Sequence, residues 1–450
     1  MTLQKPFETL ARYPLLDALR DRRSRRFGVG MQMDSGPMAY RSPEPGLPLT
    51  EDEEAILAFA ACGITGYALG DLIYEPGRGG TIMAGMAGRT VASGDAIQTV
   101  SVVVTNEKAT YLLKRPRDFD GKDLPELREL ARKGELTELY RRSRVEIKNG
   151  RAKPPLRPLY NLAVNDWTLY DPASTYFLPV NELTFLYING VMEILDENNG
   201  VFIVDERASF RPAGVGKFAR SKGGHLHDDP KDERILTIQQ LESLVTEFVT
   251  IEQGMVIQNL GLMTQAMGLG GFPHWAAHPF GWLEALGCRM QKMPASRYLG
   301  MGPVLSTLAR ALGRDAAVPY GLGIEKDGKP LLAPYCPPYY PSMEAAVRAV
   351  VNFKFGEDGV FRGATRFSLW RDPASIEKTA KPPSTAAQGA TIAYCDYVHR
   401  RYGRFPAYAP PLRTILGFQA GHVDLSFYER FYRPEALSET QRQHRELWHS

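Results

Sequence analysis

The sequence predicts an α+β fold, a central sheet flanked by helices, and three observations carry that prediction. Two segments rich in Val, Thr and Tyr, 99–105 and 109–113, are separated by Asn106-Glu107-Lys108 and read as a β-hairpin. A long apolar segment opens at Thr237, with Gln240 three positions on, and stops at Gly268, Gly270 and Gly271, the pattern of a capped and buried helix. With 44% hydrophobic and 10% aromatic side chains among 450 residues, the chain can bury at least one large core.

Taken in order, residues from about 7 to 23 place Leu15, Leu16 and Leu19 at helical spacing, and this helix is expected to run into Arg22-Arg23-Ser24-Arg25-Arg26. Thr50 and Glu53 form a capping box for a second helix that ends near Gly66. A glycine-rich loop through Gly77, Gly79, Gly80, Gly85 and Gly88 leads to the hairpin. Residues 115–160 are strongly charged and read as an insertion of surface helix and loops. Asn198-Asn199-Gly200 predicts a tight turn into a strand at 201–204. After the long helix come a shorter helix ending at Gly313 and an edge strand at 317–324. From about Lys329 the chain becomes rich in Pro and Tyr, which places a domain boundary there: 1–328 as the core domain and 329–450 as a mainly helical C-terminal extension.

Composition excludes several classes. The formal charge is +3, from 54 basic and 51 acidic residues, so no global field would hold the chain on nucleic acid or an anionic membrane. The four cysteines, 62, 288, 336 and 395, lack C-x-x-C spacing, which argues against a zinc ribbon or redox dithiol and fits a cytoplasmic setting. No run of about 18 apolar residues and no signal-peptide pattern is evident. No G-x-G-x-x-G follows a strand, so a separate Rossmann nicotinamide domain is not expected.

Three segments can carry chemistry. Arg22-Arg23-Ser24-Arg25-Arg26-Phe27 packs four guanidinium groups and a hydroxyl into five positions, suited to bidentate phosphate binding, although short basic strings such as RRSR at 141–144 are common. Gly88 to Gln98 is a small-residue turn entering a strand, where backbone N–H groups can approach an anion or a ring. Gln258 to Pro273 is, by periodicity, a core helix with a glycine terminator. His274 and His278 follow that terminator and could line a pocket there. Gly224-His225-Leu226-His227-Asp228 reads as a polar surface loop. His422-x-Asp424 with a later histidine could bind a metal. Scattered ligands of that kind are more often surface or interface residues, so no metal is assigned.

In order along the chain, these three segments resemble the nitroreductase family. The first matches its N-terminal R-x-S-x-R/K string, Ser93-Gly94-Asp95-Ala96-Ile97-Gln98 is similar to its P-S-x-x-N-x-Q-P turn, and 258–273 is similar to its Q-N-L-x-L-A-A-x-x-L-G-L-G-x-x-P helix. The resemblance covers roughly 15–110 and 235–325. Ala92, Ala96 and Thr99 stand where proline, asparagine and proline are usual, and Met263 and Thr264 replace two alanines. The helix at 50–66 and the Arg89-Thr90 approach look closer to the azoline-oxidising branch.

The resemblance implies an FMN-dependent oxidoreductase, a homodimer with FMN at the subunit interface. Carried over, Arg22, Arg23 and Ser24 would hold the FMN phosphate and ribityl chain. Arg26 would lie near the N1/C2 edge, Ser93, Gly94 and Gln98 would contact the ribityl chain or ring, and Gly270 and Gly271 would lie close to the flavin. Hydride would pass from NAD(P)H through flavin to a small organic or peptide-derived acceptor, with no catalytic acid or base assigned. The alternative is a flavin-binding protein without turnover, its ring covered by the insertion and the extension. A third reading, the fold without flavin, rests on the altered turn at Ala92, Ala96 and Thr99.

Overall fold

The structure, a computed structural model, describes residues 4–70, 72, 74–75, 78–79, 82–157, 166–169, 171–275 and 277–449. The predicted first helix is two: Gln4–Arg12 and α1, Leu15–Asp21. Pro14 separates them, because a proline has no N–H to continue the first helix while its fixed φ suits the position before the second. Helix α2, Glu51–Cys62, opens with the predicted capping box and stops at Gly63, three residues sooner than expected.

The predicted hairpin forms as β1, Val100–Thr105, and β2, Ala109–Leu113. The charged segment at 115–160, expected to contain helix and loops alone, also supplies β3, Arg144–Asn149, at the sheet edge. Charged side chains alternate there with Val145 and Ile147, and charges on an edge strand discourage further pairing. The RRSR string within this segment pairs with the start of α2: Arg141 and Arg144 both hold Glu51 at 2.6 Å. Strand β4, Thr175–Glu182, is buried along its whole length. The predicted turn is present, with Gly200 at φ +55, and leads to a short strand at Phe202–Asp205.

Helix α3, Ile238–Met267, has the predicted capping box at Thr237 and Gln240 and ends with Gly268 at φ +81. Beyond it lie β5, Gly270–His274, then β6, Leu412–Arg413, and β7, Gly417–Gly421. Two C-terminal helices follow, α4, Leu425–Phe431, and α5, Glu439–His449. The main sheet is antiparallel with the order β5-β7-β4-β1-β2-β3, and β6 also pairs with β4. The region after 329 is mainly helical, as predicted, and it also places β7 between β5 and β4. The segment 317–326, expected at an edge, is the middle strand of a separate three-stranded sheet, between Cys288–Pro294 and Lys329–Leu332.

The period-2 alternation of the central strands sorts their side chains between two cores. Val102, Val104, Phe177 and Phe418 face α2 and α3, meeting Leu57, Val256 and Leu260. Val103, Tyr176, Leu178 and Val180 face the other way, onto Trp282, Leu283 and Leu332. Each fully buried side chain of this size stabilises the fold by about 1.5–3 kcal/mol relative to its exposed state. The sheet and α3 together form the rigid frame that holds the candidate site residues.

Candidate functional site

The arginine string leaves α1 in an extended conformation, and its side chains alternate. Arg25 and Phe27 point inward, while Arg23, Ser24 and Arg26 are exposed. Arg25 donates from Nε to the Ala436 carbonyl and from Nη1 to Gln265 Oε1, each at 2.8 Å, and burial lowers its pKa from the ordinary value. Arg23 Nη1 donates only to neighbouring carbonyls, Arg20 at 3.0 Å and Arg22 at 2.9 Å. The Arg26 guanidinium lies 4.8 Å from the Phe272 ring centre and 5.3 Å from that of Trp167. Gly270 and Gly271 lie beneath the string. A Cβ on Gly270 would come within 2.9 Å of the Arg25 carbonyl, and one on Gly271 within 2.6 Å of the Phe418 ring, so neither position has room for a side chain. Arg22 to Arg26 and the Gly270-Gly271 strand therefore form one cluster at the C-terminal end of α3.

His274 belongs to the interior of this cluster. It is buried, with Nδ1 2.6 Å from the Tyr176 hydroxyl, and burial, assisted by the charge of Arg26, pushes its pKa down to about 4. The imidazole is therefore neutral near neutral pH. His278 instead caps the helix Pro279–Ala285, accepting the Phe280 N–H at 3.3 Å.

Ser93, Gly94 and Gln98 form a second cluster near the middle of α3. The Ser93 hydroxyl donates to Glu252 and accepts the Gln98 N–H at 2.8 Å. Glu252 also accepts the Thr99 hydroxyl at 2.6 Å and the Val100 N–H at 3.1 Å. This glutamate, which the sequence reading did not single out, clamps the turn onto the helix; its one signal is a carboxylate in a largely apolar stretch. Ala96 and Gln98 have φ of +54 and +55, a conformation that costs a side-chain-bearing residue roughly 1–2 kcal/mol and is held by this clamp. The Gln98 amide nitrogen donates to the Ala87 carbonyl, whereas its buried Oε1 has no hydrogen-bond partner. A Cβ on Gly94 would meet nothing within 4 Å. The second cluster borders a cavity of about 460 Å³ walled by Met86, Gln98, Arg117, Phe119, Phe353 and Phe367. Arg117 is held there by Glu182 at 3.2 Å and by the Phe185 ring at 4.6 Å.

The two clusters do not meet within one chain. Glu252 anchors one and Gln265 the other, so they lie roughly 20 Å apart along α3 at 1.5 Å per residue. The same helix carries exposed Leu244, Phe248, Ile251 and Met255 at helical spacing, and the adjacent α1 exposes Leu15, Leu16 and Leu19.

The remaining sequence candidates have local roles. His225 contacts the Leu195 carbonyl at 2.8 Å, and His227 contacts Asp232 at 2.6 Å. Asp424 caps α4, accepting the Phe427 N–H at 2.9 Å, and Glu429 pairs with Arg442. Gly77 and Gly80 lie outside the described residues. All four cysteines are free and buried, and burial pushes the Cys62 and Cys288 thiols up to about 11 and about 12. Among the described residues, no helix is long and apolar enough to cross a membrane.

No protein-family model matches the chain, and no curated protein matches it. Among solved structures, the chain is similar to a protein from Ralstonia eutropha JMP134 provisionally assigned as a nitroreductase. The two are 14% identical over 61% of this chain and 75% of that one, with a TM-score of 0.27.

Proposed function

We propose that the protein is an FMN-dependent oxidoreductase that works as a homodimer, each flavin held between the arginine cluster of one subunit and the Ser93-Gly94-Gln98 turn of the other. One observation carries this reading: the two clusters lie apart on a single helix whose exposed side between and beside them is apolar. A two-fold axis crossing α3 between the clusters would bury Ile251 and Met255 and set the arginine end of one helix beside the turn of its partner. Neither cluster is a complete site alone.

The residues present fit the group. Arg23 and Ser24 are exposed and Arg22 half-buried on an extended segment able to bind a phosphate, and the close packing of Gly270 on the Arg25 carbonyl holds that segment against the sheet. Gly94 is open, and Gln98 Oε1 is a buried acceptor awaiting a donor. Arg26, backed by Phe272 and Trp167, supplies a fixed positive charge at the position suited to stabilise an electron-rich ring. FMN, when bound, would supply hydride transfer between NAD(P)H and an acceptor. The protein's own part is to orient the reactants and exclude water, and the cavity beside Gln98 is sized for a small organic or peptide-derived acceptor. The wall of that cavity formed by 352–367 favours a second reading, a flavin-binding protein whose ring is shielded from acceptors.

A visible absorption spectrum of the purified protein, with the released chromophore identified by mass, tests the first claim. An FMN chromophore that NAD(P)H bleaches supports the oxidoreductase. An FMN that nicotinamide never reduces supports the shielded carrier, and a colourless chain that takes up no FMN discards both.

A further inference from the structure

Glu53 lies in the first turn of α2, and its two carboxylate oxygens face different ways. Oε2 completes the capping box, accepting the Thr50 N–H at 2.7 Å and its hydroxyl at 2.9 Å. Oε1 faces three histidines from the C-terminal region, with the Nε2 atoms of His422 and His444 each at 3.1 Å and that of His449 at 3.3 Å. His422 Nε2 and His449 Nε2 are 3.0 Å apart. The Glu53 side chain is fully buried, and those of His422, His444 and His449 are 5%, 6% and 17% exposed.

Hydrogen bonding alone does not account for this convergence. His422 Nδ1 lies 2.7 Å from the Leu47 carbonyl and His444 Nδ1 2.7 Å from the Met267 carbonyl. A carbonyl can only accept, so both rings carry their proton on Nδ1, and a neutral ring then presents a lone pair at Nε2. Lone pairs aimed at one carboxylate oxygen repel, and making both rings donors would need two imidazolium ions in a buried pocket beside His449. His444 Nε2, for all its proximity to Glu53, makes no hydrogen bond. The cluster lacks a positive charge at its centre. For a tetrahedral zinc ion with ligands at about 2.0–2.1 Å, neighbouring ligand atoms lie about 3.3 Å apart. Four of the six separations among these atoms, 3.0, 3.1, 3.1 and 3.3 Å, match that edge, and all six lie within 4.8 Å, a spread that one ion at the centre would draw together.

We propose that Glu53 Oε1 and the Nε2 atoms of His422, His444 and His449 form a tetrahedral zinc site. Three neutral imidazoles and one carboxylate are a borderline N/O donor set that suits Zn²⁺. Four protein ligands leave no open position, which assigns the ion a structural role. The Leu47 and Met267 carbonyls and the Thr50 cap fix three of the four ligands from outside. The ion joins α2, the end of β7 and α5. Val29 donates to the His422 carbonyl at 2.9 Å, so the ion also braces the segment that follows the arginine string.

The untagged full-length chain, expressed in zinc-supplemented medium and dialysed, is expected to retain about one zinc per chain by elemental analysis. After chelation and addition of Co²⁺, the intense visible bands of a four-coordinate site are expected. His444→Gln and His449→Gln, each checked for folding by circular dichroism, should weaken zinc binding more than about a hundredfold, beyond the loss caused by removing an outer partner. His399→Gln, remote from the cluster, should retain the ion. A folded wild-type chain that neither carries zinc nor takes up Zn²⁺ or Co²⁺ would overturn the proposal, as would full zinc retention in both ligand variants. Neither outcome depends on whether the protein binds flavin.

Discussion

At the scale of single residues, the arginine string separates into two kinds of side chain that the sequence alone cannot tell apart. Arg25 is buried and hydrogen-bonded to Ala436 and Gln265, so Arg25→Ala should cost about 2–3 kcal/mol, since hydrogen bonds to charged groups contribute about 1.5–3 kcal/mol. Arg23 is exposed, so Arg23→Ala should change stability by less than about 0.5 kcal/mol. If Arg23 is a phosphate ligand, the same change should weaken FMN binding about tenfold or more. Denaturant melts and flavin titration of both variants separate the two roles. His274 makes a second prediction. Its folded pKa is about 4 because of burial and then Arg26, whereas its ordinary value is 6.5. Between those values the unfolded chain binds the proton and the folded chain does not, so this contribution to stability is complete above pH 6.5 and lost as pH falls towards 4. Unfolding free energies across that window should slope downward with acid, and His274→Gln should flatten the slope. The metal cluster shows why other residues were not legible. Glu53 and His422 are 369 positions apart, and Asp424, the carboxylate nearest His422 in sequence, caps α4 instead.

At the scale of elements, legibility followed local chemistry. Helix α3 was readable at both ends because a capping box and a glycine terminator are signals carried by adjacent residues. The β1–β2 hairpin was readable for the same reason. Strand β3, Arg-Val-Glu-Ile-Lys-Asn, was not, because its short alternation of Val145 and Ile147 with charged residues lies inside a strongly charged stretch that masks it. Strand β7, Gly-Phe-Gln-Ala-Gly, was missed because its place between β4 and β5 is set by long-range pairing and not by its own composition. The end of α3 also couples distant parts of the chain. Gly268 is at φ +81, and a Cβ there would run into the Thr440 carbonyl of α5 and come within 3.0 Å of His444 Cβ. Gly268→Ala should therefore cost more than the roughly 1–2 kcal/mol of left-handed strain alone. Thermal unfolding should show it, together with faster amide exchange in α5 than in the β1–β2 hairpin. Equal exchange rates in the two elements would show that the helix end and α5 are not coupled.

At the scale of the whole molecule, the separated clusters make a prediction that a single-chain site cannot meet. If each flavin lies between the arginine end of one subunit and the turn of the other, two different defects can complement each other. Arg23→Ala with Arg26→Ala removes a phosphate ligand and the charge beside the ring, both on the arginine side of the site. A Cβ at Gly94 meets nothing within 4 Å, so Gly94→Val should fold normally and obstruct what approaches from outside. Each variant alone should be dimeric and bind little FMN. When the two are mixed and allowed to exchange subunits, about half of the dimers are mixed, and each mixed dimer has one intact site and one doubly altered site. Flavin should then return to roughly a quarter of all sites, a recovery that no site built within one chain can produce. Light scattering and flavin fluorescence on the same samples read both quantities. Dimers that exchange subunits without regaining flavin would place each site within one chain. A wild-type monomer that binds FMN would leave the apolar face of α3 to some other contact.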